Sequence, residues 1–333
     1  MKKILGLGNP LVDVLTKLKS DEFLQKFSLP KGSMQLVNSD ISGKIAAELE
    51  DGNRFLVTGG SASNTINGLA KLGVTVGFAG KTGNDEIGAF FQADSEKNGV
   101  KSHLIQSDSP SGVCISLISP DGERTMATCL GAACEITADD LREEIFSGYD
   151  YCHIEGYWVL NRDLILNAMQ MAKKGGLKIS MDLSSYNVVS ENLDFLKQLV
   201  RDYVDILFAN EEEAKAFTGK EPREALDEIA GICEIAVVKV GAQGSYIKKG
   251  EEMHEVAALP GVTCLDTTGA GDLYASGFLY GLTEGLPLQE CGKTGSLVSG
   301  NIIQVIGTKL DDEKWEEIKL IINSSCRLIS SPK

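Results

Sequence analysis

Short apolar segments alternate with longer amphipathic segments along most of the 333-residue chain. The short segments are typical of buried strands, whereas the longer ones repeat apolar residues with the period of a helix. Strands are predicted at 3–8, 74–79, 149–154, 177–182, 204–209 and 235–240, and helices at 63–72, 85–98, 161–174, 193–200, 211–217, 222–232, 269–283, 287–305 and 312–328. This alternation predicts an α/β fold with a mostly parallel central sheet flanked by helices, which binds ligands at the carboxyl ends of its strands.

Two segments depart from this alternation. Residues 111–130 predict a β-hairpin with its turn at Pro120-Asp121-Gly122-Glu123, and residues 11–37 contain further strand-like stretches. We expect about 11–37 and 104–130 to form a small β-sheet that covers the active site as a lid. The pattern equally allows an ordinary edge hairpin. No internal repeat or linker-like stretch interrupts the chain, so residues 1–333 are predicted to be a single domain.

Composition narrows the range of partners. The chain has 47 acidic and 32 basic residues, a net charge of -15, which disfavours nucleic acid and anionic membranes as partners. No stretch approaches the ~20 apolar residues of a membrane span. The eight cysteines are scattered and the three histidines do not have metal-ligand spacing, so we expect reduced thiols, no zinc site and a soluble cytoplasmic protein.

The most informative motif is Asp-Thr-Thr-Gly-Ala-Gly-Asp, from Asp266 to Asp272. A helical segment follows it, so Gly269, Ala270 and Gly271 are expected at a helix N-terminus, where backbone amides and the helix dipole bind anions. A carboxylate in the first turn could accept a proton from a hydroxyl group held beside those amides. Phosphoryl transfer needs both elements. The alternative is a glycine-rich loop in which Asp272 only complements the helix dipole.

A second glycine-rich stretch, Gly59-Gly60-Ser-Ala-Ser-Asn64, precedes the predicted helix at 63–72. By itself it is equally well explained as a turn with a helix N-cap. Together, however, the two stretches resemble the two signatures of the PfkB carbohydrate kinase family, which includes ribokinase, fructokinases and adenosine kinase. The resemblance covers nearly the whole chain.

The resemblance implies a ribokinase-like fold and a reaction that moves the γ-phosphoryl group of ATP to an alcohol, with Mg2+ as cofactor. It assigns Asp272 as the catalytic base, with the amides of Gly269, Ala270 and Gly271 as an anion hole. It also assigns acceptor binding to Gly59, Gly60 and Asn64, together with Asp13 at the end of the first strand.

Further matches follow other predicted strands. The resemblance assigns ATP binding to Asn210, Lys239, Gly241, Gly244 and Asn301. It assigns Glu213 to Mg2+ through water and allows a monovalent cation such as K+ at Asp266. Hard oxygen ligands suit Mg2+. The alternative for Glu213 is a helix-stabilising charge in an acidic first turn.

The acceptor is less defined by sequence. We favour the hydroxymethyl group of a small sugar, because residues 111–130 contain no aromatic ring that could stack on a base. Adenosine or another nucleoside is the alternative, with Phe23, Phe27 or Tyr157 supplying the ring. A monomer or a homodimer formed through the lid is expected. A binding protein without turnover and a NAD-dependent dehydrogenase are the rival classes; the intact Asp272 argues against the first, and the missing dinucleotide fingerprint against the second.

Overall fold

The computed structural model describes residues 2–49, 55–121 and 123–330, with side chains described up to residue 324. Gly122 of the predicted hairpin turn lies outside the described residues. The strands are β1 (Ile4–Leu7), β2 (Leu11–Lys17), β3 (Met34–Leu36), β4 (Phe55–Gly59), β5 (Val76–Gly83), β6 (Val100–Ser107), β7 (Gly112–Ile118), β8 (Arg124–Cys129), β9 (Tyr151–Glu155), β10 (Lys178–Asp182), β11 (Ile206–Asn210), β12 (Ile235–Lys239), β13 (Ser245–Lys249) and β14 (Glu252–Val256).

The helices alternate with these strands over much of the chain, as the sequence predicted. They are α1 (Glu22–Lys26), α2 (Ser39–Glu48), α3 (Ser61–Lys71), α4 (Glu86–Lys97), α5 (Glu143–Phe146), α6 (Arg162–Lys174), α7 (Tyr186–Glu191), α8 (Leu193–Tyr203), α9 (Glu211–Thr218), α10 (Pro222–Ala230), α11 (Ala270–Thr283), α12 (Leu288–Ile302) and α13 (Asp312–Ser330). In the part of the chain that the structure describes, no helix is both long and apolar enough to cross a membrane.

The larger sheet has nine strands in the order β14-β13-β12-β11-β10-β9-β1-β5-β6. Strands β12 to β6 in that order run parallel, and β13 and β14 add an antiparallel edge. The predicted mostly parallel sheet is therefore confirmed. The hairpin of β13 and β14 was not predicted from sequence.

Both faces of this sheet are buried under helices. Successive residues of a strand point to opposite sides, so each strand contributes side chains to both cores. In β11, Leu207 belongs to a core with Leu196 of α8 and Phe217 of α9. The next residue, Phe208, faces the opposite core and packs edge-on against Phe278 of α11, with ring centroids 5.4 Å apart. This double packing fixes the strand ends that carry polar residues.

A separate small sheet has the order β3-β8-β7-β2-β4. Its hairpin of β7 and β8 is antiparallel, as predicted for residues 111–130. One face is apolar and packs on α1 and α2, with Val14, Ile115 and Leu117 in its core. The predicted boundaries need correction at two points. Residues 104–107 belong to β6 of the large sheet, and β4 joins the small one by pairing with β2.

The opposite face of the small sheet is polar. We call it the polar face and define it by Asp13, Cys114, Ser116, Arg124 and Thr128, which alternate with the apolar residues along β2, β7 and β8. Its side chains contact one another: the Thr128 hydroxyl lies 3.4 Å from the Cys114 sulfur, and Arg124 donates to the Ser116 hydroxyl at 2.9 Å. The sequence pattern alone did not distinguish this face from an exposed one.

Candidate active site

A cleft of about 930 Å³ lies at the carboxyl ends of the central strands and contains most of the predicted site residues. The last residues of β10, β11 and β12 are Asp182, Asn210 and Lys239, and all three line it. Asp272 at the start of α11 faces them across the cleft. Polar residues from separate parts of the chain meet here because parallel strands end at one edge of the sheet.

The glycine-rich loop forms the start of α11, as predicted. Gly269 caps the helix with a left-handed backbone (φ 73°), and a Cβ atom there would lie 2.8 Å from the Thr308 methyl group. Position 269 therefore requires glycine for two reasons: its left-handed backbone conformation, and the lack of space for a Cβ atom beside Thr308. The first amides of a helix have no partner within the helix. The Ala270 amide donates to the carbonyl oxygen of Thr267 at 3.1 Å in this structure, and the Gly271 amide is available to an anion in the cleft.

Asp272 connects this loop with the second glycine-rich stretch. Its Oδ1 accepts a hydrogen bond from the Ser61 hydroxyl at 2.8 Å, and its Oδ2 accepts one from the Asn64 side-chain amide at 2.9 Å. Burial raises the pKa of Asp272 to about 6, although these two hydrogen bonds oppose the rise. The carboxylate is thus charged at neutral pH and close to the pKa that suits a general base.

The ammonium group of Lys239 lies beside the start of α11. Its ammonium group donates to Asp182 at 2.7 Å, and a Cβ atom on Gly271 would lie 2.9 Å from the same nitrogen. Burial alone would lower the pKa of Lys239, but the charges of Asp182 and Glu213 outweigh it and raise the pKa. The lysine therefore stays charged beside the predicted anion hole.

Asn210 and Glu213 form a capping box at the start of α9. Asn210 accepts from the Glu213 amide at 2.8 Å, and Glu213 accepts from the backbone and side-chain amides of Asn210 at 2.8 and 2.9 Å. The carboxylate is nevertheless only 3% exposed and lines the cleft. Burial, and then the charge of Asp182, raises its pKa to about 7. Glu213 thus stabilises the start of α9, which was the alternative that the sequence left open, and it also faces the cleft.

The predicted nucleotide loop is a short turn, Gly241–Gln243, after β12. Gly241 and Gly244 both have positive φ, and a Cβ atom on Gly244 would lie 1.9 Å from the carbonyl oxygen of Val256. Both glycines line the cleft. Asn301 does not line it; its side chain donates to Leu297 O within α12, at 2.8 Å.

The predicted acceptor residues lie together where the two sheets meet. A Cβ atom on Gly59 would lie 2.8 Å from the Asp13 carboxylate, and one on Gly60 (φ 92°) would lie 2.2 Å from the carbonyl oxygen of Asn9. Asp13 is 8% exposed, and burial raises its pKa to about 6, although the charge of Arg124 opposes the rise. The Asp13 carboxylate and the backbone of Gly59 and Gly60 therefore form a compact wall, and the Asn64 backbone amide donates to the Gly60 carbonyl oxygen at 2.8 Å.

A buried carboxylate lies under this wall, at the end of β9. Glu155, the last residue of β9, accepts from the backbone amides of Asn9 at 2.9 Å and Ala62 at 3.1 Å. Burial raises its pKa to about 8. Glu155 thus ties the turn before β2, the strand that carries Asp13, to the start of α3, the helix that carries Asn64.

Sequence reasoning did not identify three other residues of the site. Asp182 ends a predicted strand, as Asn210 and Lys239 do, so the strand-end pattern could have identified it. Ser61 lies in the quoted glycine-rich stretch but was not assigned a role. Arg124 gave no signal, because an arginine in a hairpin is usually exposed; here it pairs with Asp266 at 2.5 Å.

Comparison with known proteins places this cleft in a family. Residues 42–315 match the family model described as pfkB family carbohydrate kinase. A solved structure of a probable sugar kinase from Rhizobium etli CFN 42 is similar with a TM-score of 0.86 and 33% identity, covering 96% of this chain and 98% of that one.

Two adenosine kinases are similar over their full length. That of Sinorhizobium meliloti has a solved structure with a TM-score of 0.84 and 32% identity, covering 99% of both chains. That of Saccharomyces cerevisiae is 30% identical over 334 residues, which span 93% of this chain and 97% of the yeast protein. These similarities extend across both sheets and the cleft.

Proposed function

The chain belongs to the pfkB family of carbohydrate kinases and is an ATP-dependent kinase, and from this premise we propose that it phosphorylates the hydroxymethyl group of a nucleoside of the adenosine class. The observation that carries the proposal is the position of Asp272. Its carboxylate contacts Ser61 and Asn64 of one glycine-rich segment and belongs itself to the other. An acceptor held by the first segment therefore meets a phosphate held by the second at a single base.

In the proposed reaction, Asp272 accepts the proton of the acceptor hydroxyl while that oxygen attacks the γ-phosphorus and ADP leaves. The amides of Gly269, Ala270 and Gly271 stabilise the charge of the phosphoryl group during transfer. Lys239 adds a full positive charge to this hole. ATP lies along the turn from Gly241 to Gly244.

Mg2+ would be held mainly by the phosphates of ATP. Among the described residues no group of three or more histidine, cysteine or acidic side chains could hold a metal ion by itself. Glu213 and Asn210 fit a bridging role through water, since Mg2+ commonly keeps several waters and takes one or two carboxylates. When bound, the ion neutralises charge on the β- and γ-phosphates.

The full-length similarity to two adenosine kinases favours a nucleoside as acceptor. Asp13 is proposed to accept hydrogen bonds from two ribose hydroxyls, and Tyr157 in the cleft lining provides a ring next to the base. A free sugar, which the sequence favoured, is the second candidate. The similarity to the probable sugar kinase supports it, and so does the lack of aromatic residues in β7 and β8.

We further propose that residues 1–333 act as a single domain in which the small sheet is a lid over the acceptor. Asp13 and Arg124 on the polar face would then cover a bound acceptor from above. A cytoplasmic location and a monomer, or a homodimer formed through the lid, remain predictions.

The test is ADP release from ATP and Mg2+ with a panel of acceptors: adenosine, guanosine, ribose, fructose and 5′-deoxyadenosine. The last is a matched control, since it lacks only the hydroxyl that would be phosphorylated. We expect release with adenosine and none with 5′-deoxyadenosine. Release with a free sugar alone would support the second candidate, and no acceptor-dependent release would reject both.

A further inference from the structure

The carboxylate of Asp266 accepts hydrogen bonds at both oxygens, twice at each. Oδ1 accepts from the amide and the hydroxyl of Thr268, at 2.9 and 2.6 Å. Oδ2 accepts from the amide of Gly307 at 2.8 Å and from the guanidinium of Arg124 at 2.5 Å. An ionised carboxylate has about four lone-pair sites. These donors therefore use the whole capacity of Asp266 to bind a cation directly.

Arg124 reaches this carboxylate from the other sheet. The same nitrogen that contacts Asp266 also donates to the Thr268 hydroxyl at 2.9 Å, and the second terminal nitrogen donates to Ser116 at 2.9 Å. The ion pair is well buried, with the side chains of Arg124 and Asp266 only 13% and 11% exposed. The planar, permanently charged guanidinium group suits such a contact better than the compact, strongly hydrated ammonium group of a lysine would.

The backbone next to Asp266 is also satisfied. The carbonyl oxygen of Ile303 accepts from the amides of Leu265 at 2.7 Å and Asp266 at 3.2 Å. Burial by itself would raise the pKa of Asp266, but the hydrogen bonds from Thr268 and Gly307 and the charge of Arg124 outweigh it and lower the pKa. Asp266 is therefore an anion with a positive partner already in contact.

We propose that Arg124 occupies the place of a monovalent cation at Asp266, so that this chain keeps the anion-hole loop in its active form without K+. The residues do not fit the monovalent cation that the family resemblance allows at this position, because the guanidinium group supplies the charge and fills the acceptor site. Arg124 is thus a positioning residue: it holds Asp266 and Thr268, which lead directly into Gly269. The inference rests on the proposed function, because it concerns the same anion hole.

The first experiment needs no turnover. Thermal unfolding is measured in chlorides of K+, Na+ and tetramethylammonium at matched ionic strength. We expect the wild-type Tm to be the same in all three salts. In Arg124→Ala the Asp266 carboxylate loses its positive partner and becomes free to bind a cation, so K+ should raise the Tm relative to tetramethylammonium. Lys31→Ala is the matched control: Lys31 also belongs to the small-sheet unit and pairs with Asp21 and Asp121 at 2.6 Å, but near the surface.

The second experiment measures turnover with the acceptor that the panel identifies. Wild-type kcat should differ less than about twofold among the three salts. In Arg124→Ala, kcat should fall about tenfold or more, because a group that supports an anion hole is lost. Added K+, or guanidinium at low concentration, should restore part of this kcat. Arg124→Lys keeps a charge at this position and should remain independent of K+, which covers the case in which the alanine variant does not fold.

A wild-type Tm or kcat that rises specifically with K+ would overturn the inference. So would an Arg124→Ala protein that responds to K+ no more than wild type does. If no acceptor supports ADP release, the proposed function fails. The unfolding measurements still decide the cation question, so the two failures can be distinguished.

Discussion

The ammonium group of Lys239 lies 2.7 Å from the carboxylate of Asp182, although the two residues are 57 positions apart in the chain. They end β12 and β10, on either side of β11. The side chains are only 14% and 7% exposed. Because Asp182 fixes one side of the ammonium group, the lysine remains close to Gly271, where a transferred phosphoryl group would be bound.

Replacing Lys239 with methionine tests this relationship. The variant keeps the length and apolar stem of the side chain but removes its charge from the anion hole. We expect kcat to fall by about 10²–10³-fold, the usual effect of losing one donor to a developing anion. Lys215→Met is the control, since Lys215 pairs with Glu221 on the surface of α9. A kcat within threefold of wild type would exclude Lys239 from catalysis.

The pH dependence of kcat tests the ionisation of the base. Burial raises the pKa of Asp272 to about 6, and only the charged carboxylate can accept a proton. At saturating acceptor, kcat should therefore be constant above pH 7 and fall about tenfold per pH unit well below 6. Asn64→Ala removes a hydrogen bond that lowers this pKa, so its profile should move to higher pH. A flat profile between pH 5 and 7 would contradict the assignment.

The parts of the site that sequence predicted are those with a local cause. Gly269 and Gly244 need backbone conformations or close contacts that only glycine permits, and Asn210 ends an apolar strand just before an acidic helix start. Such signals depend on neighbouring residues. The α/β alternation was predictable for the same reason, because burial on both faces of the sheet gives each strand an apolar sequence.

The contacts that were missed are long-range. Arg124 and Asp266 are 142 residues apart, and nothing near either residue indicates the other. Strand β4 was not predicted either; it contains Phe55 and Leu56, which are 69% and 41% exposed, and it joins the small sheet by pairing with β2. Asn301 was assigned by resemblance alone, and its helix turns the side chain toward its own backbone. Pairing across the chain is set by topology, which sequence patterns do not contain.

The Mg2+ requirement tests Glu213. Activity should vanish with chelator and return with added Mg2+, because the phosphates lose their main counter-charge without it. Glu213→Gln retains the size of the side chain but removes its charge, so the Mg2+ concentration for half-maximal activity should rise. Glu224→Gln, an exposed acid in the first turn of α10, is the control. An unchanged Mg2+ requirement in Glu213→Gln would exclude Glu213 from Mg2+ binding, and capping of α9 would be its remaining role.

Asp13→Ala tests the acceptor wall. If Asp13 accepts two acceptor hydroxyls, the acceptor KM should rise more than tenfold, because each charge-assisted hydrogen bond contributes about 1.5–3 kcal/mol. The KM for ATP should stay nearly constant. A nucleoside should keep part of its affinity through its base, since stacking contributes about 1–3 kcal/mol, whereas a free sugar should lose nearly all.

Asp40→Ala, which removes an exposed acid from α2 beside the same small sheet, controls for a general loss of charge. Acceptors that lack one of the two hydroxyls should bind wild type weakly and be affected less by Asp13→Ala, because that interaction is already absent. Equal losses for ATP and acceptor would mean that Asp13 supports the fold, and the assignment of the acceptor wall would then be wrong.

The most direct test of the account is the turnover of Asp272→Asn, measured together with its ATP affinity. Asparagine keeps the shape of the side chain but cannot accept the hydroxyl proton. We expect kcat to fall by about 10²–10⁴-fold, the range for loss of a general base, while the Kd for ATP and the Tm remain close to wild type. Turnover within a few-fold of wild type would show that Asp272 is not the base.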